Sequence, residues 1–174
     1  MSDGQGEAEG GRVTTSSKSH EAENLPLVGY AALTGTFVVS ALLASGVVRA
    51  KGRPLPDAIA LGDVMLLGTA THKIARLITR DKVLTFLRAP FVDYKGPAGP
   101  AEVEEEARSD GPLRMAIGQL VTCPFCMSQW VAAALVSAFA LNPRATRMVA
   151  TVFTTLAVSD SLQHGYVQLK ENNS

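Results

Sequence analysis

The chain has 174 residues, 47% of them apolar, with sixteen Lys and Arg balanced by sixteen Asp and Glu and a mean hydropathy of +0.15. Zero net charge lacks the basic excess of a nucleic-acid binder, and two cysteines are too few for a disulfide framework. The averages conceal a segregation that argues against a simple soluble domain, because Leu25 to Val48 contains no charged side chain.

Residues 1–24 are rich in Gly, Ser and Glu and carry too little apolar surface to offset chain entropy, so they are expected to form a disordered tail. Residues 25–174 read as a membrane domain. Its first span, 25–48, is long enough at about 1.5 Å per residue to cross a hydrocarbon core of about 30 Å. This apolar run is too long and starts too late for a cleaved secretory signal, which points to an uncleaved anchor. The second span, 58–78, follows Pro54 and Pro56, with Asp57 as its expected N-cap. It carries Asp63, His72, Lys73 and Arg76. A charge at the bilayer centre costs about 2.5–3.5 kcal/mol, so this helix should face partner helices.

The connection at about 80–112 has two unlike halves. In the first, Val83, Leu84, Leu87 and Phe91 alternate with Arg80, Lys82 and Arg88, the pattern of a basic amphipathic segment on an anionic lipid surface. A solvated continuation of the second helix fits the same residues. The second half combines Gly-Pro punctuation with Glu102, Glu104, Glu105 and Glu106 and reads as a flexible surface linker with one short helix. Its carboxylates lack the spaced ligand loop of a calcium site.

From Pro112 the positions Leu113, Ile117, Leu120 and Val121 give one apolar stripe, an interfacial helix that Pro124 ends. Pro124 then opens the third span, 124–141, which Asn142-Pro143 stops. The fourth span, 145–166, is apolar until Ser159-Asp160-Ser161 and His164. Small residues at four-residue spacing (Thr36, Ser40 and Ala44; Ala134 and Ala138; Thr151, Thr155 and Ser159) are expected to let backbones approach closely. The fold expected is an all-α, integral-membrane four-helix bundle with an amphipathic cytoplasmic connection.

Basic residues set the orientation. With the N-terminus inside, eleven Lys and Arg fall on the cytoplasmic side and five outside, of which Arg49, Lys51 and Arg53 dissent by density. Both termini are therefore expected in the cytoplasm. Tyr30 and Tyr166 then share the inner interface.

One constellation carries chemistry. In Thr122-Cys123-Pro124-Phe125-Cys126, Pro124 suits a first helical turn and places Cys123 at a helix start, where free N–H groups and the helix dipole favour a thiolate. Cys126 follows at i+3. The Cys-x-x-Cys spacing is that of redox dithiols, without the strand-turn-helix setting those usually have. His72 and His164 reach similar depth, so Cys123, Cys126, His72 and His164 are the candidate ligands of a zinc site, with Asp160 orienting His164. The account favoured over both packs the cysteines as small hydrophobes and uses the histidines, Asp160 and Asp63 in interhelical hydrogen bonds.

The ordered run Leu61-Gly62-Asp63, Ala70-Thr71-His72-Lys73, Ala75-Arg76-Leu77-Ile78, Asp81-Lys82-Val83, Arg88-Ala89-Pro90-Phe91, Glu102 to Glu106, and Thr122 to Trp130 resembles the bacterial membrane proteins of domain-of-unknown-function family 1360, some called sporulation proteins. The resemblance spans about Ala58 to Gln168 and implies an integral membrane protein. It supplies no activity, cofactor or catalytic residue.

The function expected is a non-enzymatic scaffold or interaction protein of the bacterial inner membrane, with the lipid bilayer as its partner and anionic lipids touching Arg80, Lys82 and Arg88. The alternatives are a membrane dithiol oxidoreductase using Cys123 and Cys126, and a metal-binding membrane module. No cofactor belongs to the favoured reading, zinc belongs to the metal alternative, and homo-oligomerisation is left open.

Overall fold

The computed structural model describes residues 26–52 and 58–172. The expected tail and the Asp57 cap lie outside these residues. Six α-helices, one 3₁₀ turn and a two-stranded sheet are found among the described residues: α1 (Leu27–Ala50), α2 (Leu61–Arg80), the 3₁₀ turn Lys82–Leu84, α3 (Thr85–Arg88), β1 (Val92–Gly99), β2 (Glu102–Ala107), α4 (Pro112–Thr122), α5 (Pro124–Leu141) and α6 (Pro143–Asn172). The chain is thus mostly helical. Two helices, α1 and α5, are long and apolar enough to cross a membrane.

The core lies where α2, α5 and α6 meet. Leu67, Ala70 and Ala75 of α2 close on Val131, Leu135 and Phe139 of α5 and on Ala150 of α6. Direction follows from the polar contacts between α2 and α6. The Asp63 carboxylate accepts from Arg147 Nε at 2.7 Å and Nη2 at 2.8 Å, the Thr154 hydroxyl donates to the Leu66 carbonyl at 3.0 Å, and Lys73 pairs with Asp160 farther along. These two helices therefore run parallel. The reverse direction of α5 is fixed by its end, where Phe139 lies under the Arg147 guanidinium at 5.2 Å. Asn142 ends α5 and begins α6, its side chain accepting from the Ala145 N–H at 3.3 Å, so the helix-stopping Asn-Pro pair also caps the next helix.

Helix α1 attaches to α4 and α5. Phe37 meets Trp130 edge-on at 5.2 Å, and the Tyr30 hydroxyl donates to Gln119. At Gly29 a Cβ would run into the Pro112 carbonyl and Ala116, so only glycine allows this approach. The expected small-residue stripes do not make these contacts. Thr36, Ser40, Ala134, Ala138, Thr151 and Thr155 are exposed, while Gly29, Ala70, Ala75, Ala116 and Ala150 occupy the tight contacts. Spacing alone cannot tell which face of a helix is turned inward.

The connection differs most from expectation. Its second half is an antiparallel hairpin, with Val92 opposite Ala107, Tyr94 opposite Glu105 and Gly99 opposite Glu102, and not a flexible linker with a helix. Ala101 at the turn has a positive φ of 64°, and its carbonyl accepts from the Lys82 N–H at 2.9 Å. Val92 and Val103 turn inward, and cross-strand ion pairs Lys95–Glu106 and Asp93–Arg108 lace the outer side. Helix α4 presses on the hairpin so closely that a Cβ on Gly118 would sit 2.6 Å from the Phe91 carbonyl oxygen and 2.8 Å from Ala107 Cβ.

Arg88 corrects the expected lipid-facing stripe. Its side chain is 1% exposed and pairs with Glu105, itself 2% exposed. It also donates to the carbonyls of Ile78 at 2.6 Å and Asp81 at 2.9 Å, oxygens left over at the C-terminus of α2. Of the three residues assigned to a lipid surface, Lys82 is exposed, Arg80 half-buried and Arg88 buried. The arginine that looked like part of a basic face ties the hairpin to α2.

Candidate functional site

The Cys-Pro-Phe-Cys segment sits at the break between α4 and α5. Cys123 has extended backbone (φ −105°, ψ 107°), closing α4 and capping α5, with Pro124 in the first turn, where its missing N–H removes no hydrogen bond. Its Sγ accepts the backbone N–H of Cys126 at 3.3 Å. Both cysteines are free thiols, Cys123 half-buried and Cys126 exposed.

The electrostatics at Cys123 oppose one another. Partial burial pushes its thiol pKa up. The Cys126 side chain, the backbone N–H groups of Cys126 and Phe125 and the Arg80 charge pull it down, and the net direction is below the ordinary value. The Cys126 thiol makes the largest lowering contribution, and the sulfur's place at a helix start adds N–H groups that no carbonyl of the helix can satisfy.

Beside the two thiols lies a cavity of about 430 Å³ formed by α1, α4 and the start of α5. Leu33, Ala116 and Leu120 supply apolar walls, and Tyr30, Gln119 and Thr122 supply polar atoms. The two helices apolar enough to cross a membrane, α1 and α5, both border it.

The histidines belong to a different cleft. His72 and His164 line a polar space of about 670 Å³ between α2, α6 and the hairpin turn, together with the ion pairs Lys73–Asp160 and Arg76–Glu102. His72 also borders a smaller cavity with Pro124 and Phe125. Among the described residues no three His, Cys, Asp or Glu side chains form a group that could hold a metal ion. Cys123, Cys126, His72 and His164 are thus divided between two cavities and do not converge as one ligand set. Asp160 does not orient His164 through its carboxylate either: His164 Nδ1 contacts the Asp160 backbone carbonyl at 2.8 Å, and the carboxylate pairs with Lys73.

Sequence reasoning placed the thiols correctly at a helix start but had no access to their neighbours. Tyr30 and Gln119 are separated by 89 residues, Lys73 and Asp160 by 87. No local spacing announces such pairs. Asp63 did carry a signal, as a charge on an apolar helix that needed a partner, and Arg147 is that partner.

A family model described as "Protein of unknown function (DUF1360)" matches residues 66–166, so the chain belongs to that family. No curated protein and no solved structure matches the chain. The matched stretch contains the thiols, the hairpin and both cavities except for the portions contributed by α1.

Proposed function

We propose that the chain is a four-span protein of the bacterial inner membrane, with α1, α2, α5 and α6 in the bilayer and both termini in the cytoplasm, and that Cys123 and Cys126 perform thiol–disulfide exchange at the inner interface. The membrane part is supported by large apolar side chains that are exposed among the described residues: Val38, Val39, Leu42 and Leu43 on α1, and Met148, Val152 and Leu162 on α6. Charges on α2 and α6 would be costly alone in lipid, and they are paired across the two helices as Asp63–Arg147 and Lys73–Asp160. The parallel directions of α2 and α6 are those an in-out-in-out path requires of its second and fourth spans.

The redox reading is carried by one observation: a thiol capping the first turn of α5 with a second, exposed thiol one turn on. Packing as small hydrophobes asks for burial, and Cys126 is exposed among the described residues. In exchange, the Cys123 thiolate attacks one sulfur of a substrate disulfide, forms a mixed disulfide and expels a thiolate, which takes up a proton. Cys126 then loses its proton and attacks the Cys123 sulfur. The second substrate thiol leaves, and the Cys123–Cys126 disulfide closes. The reverse sequence oxidises a substrate dithiol.

The test is a trap. With Cys126→Ser, the mixed disulfide on Cys123 cannot be resolved and should accumulate on non-reducing gels with a peptide disulfide as probe. Cys123→Ser should accumulate none. Equal yields from both variants, or no adduct from either, would remove the exchange reading.

A further inference from the structure

Thiol–disulfide exchange leaves one redox partner undefined, and the cavity beside the thiols bears on it. We propose that this cavity binds the ring of a membrane-soluble quinone, and that the quinone accepts the two electrons of the Cys123/Cys126 dithiol. The inference rests on the redox reading above and adds its direction: substrate dithiols are oxidised, and the electrons leave into the lipid phase.

Three observations select this occupant. The cavity is bordered by α1 and α5, the two helices apolar enough to cross a membrane, so a ligand entering between them comes from lipid. Its volume of about 430 Å³ lies within the range of small-ligand sites, and its walls at Leu33, Ala116 and Leu120 suit a flat apolar ring. Its polar side chains are few, Tyr30, Gln119 and Thr122, and they line the same cavity as the two cysteines. Tyr30 donates its hydroxyl to the Gln119 carbonyl oxygen, which leaves the Gln119 NH₂ group to donate to a ring carbonyl. An acyl chain would fill the apolar walls but use neither the amide nor the thiols. A peptide disulfide would have to strip its backbone of water to enter.

The step balances. The Cys123 thiolate adds to a ring carbon, the electron pair moves to the ring oxygen, and that oxygen takes a proton. Cys126 gives up its proton and attacks the Cys123 sulfur. The S–S bond forms, the S–C bond breaks, and the ring leaves with the electron pair and takes a second proton as hydroquinone. Two thiols and one quinone become one disulfide and one hydroquinone.

The experiment uses the full chain, reduced and reconstituted in lipid nanodiscs without oxygen, with a fully substituted decyl-benzoquinone as probe. Hydroquinone formation should approach one per chain as two thiols disappear, and the Cys123→Ser/Cys126→Ser double variant should form none. Leu33→Trp, which fills the cavity, should slow quinone reduction at least tenfold and by a larger factor than it slows exchange with a peptide disulfide. Tyr30→Phe, which removes only the hydroxyl that orients Gln119, should raise the quinone KM several-fold and serves if the Trp variant does not fold. Peptide exchange without quinone reduction, or with reduction indifferent to Leu33→Trp and Tyr30→Phe, would overturn this inference and leave the exchange reading standing. A photoreactive fatty acid that labels Leu33 undiminished by excess quinone would overturn it in favour of a lipid chain. Loss of both reactions in the unsubstituted protein would overturn both.

Discussion

Arg88 shows how one side chain changes role with its surroundings. In sequence it completes a basic stripe, yet in the fold it is enclosed, with its guanidinium divided between Glu105, two carbonyls at the end of α2 and the Thr85 hydroxyl. Removing one member of a buried pair leaves an uncompensated charge and costs about 3–5 kcal/mol, whereas removing both can be nearly neutral. Arg88→Met should therefore lower stability by about that amount in a thermal or denaturant melt. Arg88→Met combined with Glu105→Leu should recover most of the loss, aided because Glu105 Oε1 has no hydrogen-bond partner in the intact pair. Failure of the double variant to recover would show that the carbonyl bonds of Arg88 outweigh the ion pair. Cys123 gives a second test at this scale. Its pKa is lowered in the fold, so the thiolate persists to lower pH than an ordinary cysteine allows, and its alkylation should reach half-maximal rate below pH 9.0, the ordinary value. The sign of the linkage follows: the group stabilises the fold above the ordinary pKa, and the contribution fades as pH falls through the lowered one. Rapid-quench alkylation of the intact protein against pH, with the label located on Cys123 by mass spectrometry, reads it, and a midpoint at or above the ordinary value would refute the account of a lowered thiol.

The hairpin is the element least legible beforehand, for an identifiable reason. Strands are usually recognised by β-branched and aromatic residues in alternation, and Gly96, Pro97, Gly99, Pro100 and a run of glutamates offer little of either. Only Val92 and Val103 mark the inward face; the rest is held by cross-strand charge pairs, by the buried Arg88–Glu105 pair and by α4 lying across it. The helices were legible because Pro112, Pro124 and Asn142-Pro143 punctuate the chain where the helices do begin and end. What the periodicity could not supply was the facing of each helix, so the small-residue stripes were assigned to interfaces that glycines and alanines elsewhere provide. Gly118 tests this at the scale of the element. A Gly→Ala change inside a helix ordinarily gains up to about 1 kcal/mol, but here the added methyl meets a backbone carbonyl of the segment before β1. Gly118→Ala should cost about 1–3 kcal/mol, as overpacking does, and should open the hairpin to hydrogen exchange before the α2/α5/α6 core. A stabilising Gly118→Ala would mean that the hairpin is not seated on α4.

At the scale of the whole molecule, the balance of apolar and charged helix surface decides what each helix can face. Two helices pass as membrane spans by length and composition, and the other two long helices do not, because α2 and α6 carry Asp63, Lys73, Arg147 and Asp160. These charges are matched pair by pair between parallel helices, which is the arrangement that makes such helices tolerable in lipid once they have met. Under the four-span proposal the same pairing accounts for why hydropathy along the chain marks two spans: the cost of a charge belongs to the isolated helix and is relieved by a partner 87 residues away. A four-span protein should then stay with membranes through carbonate washing and need detergent for extraction, and Asp63→Ala should impair insertion of α2 less than Arg147→Ala, because the latter leaves a carboxylate unpaired in the bilayer while the former frees an arginine long enough to reach the interface. The proposed orientation also predicts where the thiols lie. If α1 runs from the inside outward, with α5 parallel to it, Cys123 and Cys126 would be at the cytoplasmic interface, so a membrane-impermeant maleimide should label them only in inverted vesicles, and a reporter fused at the C-terminus should be active only in its cytoplasmic form. Labelling in intact spheroplasts would reverse the orientation. The dithiol would then meet extracytoplasmic substrates, and the basic residues Arg76, Arg80 and Lys82 would stand on the side where the positive-inside rule disfavours them.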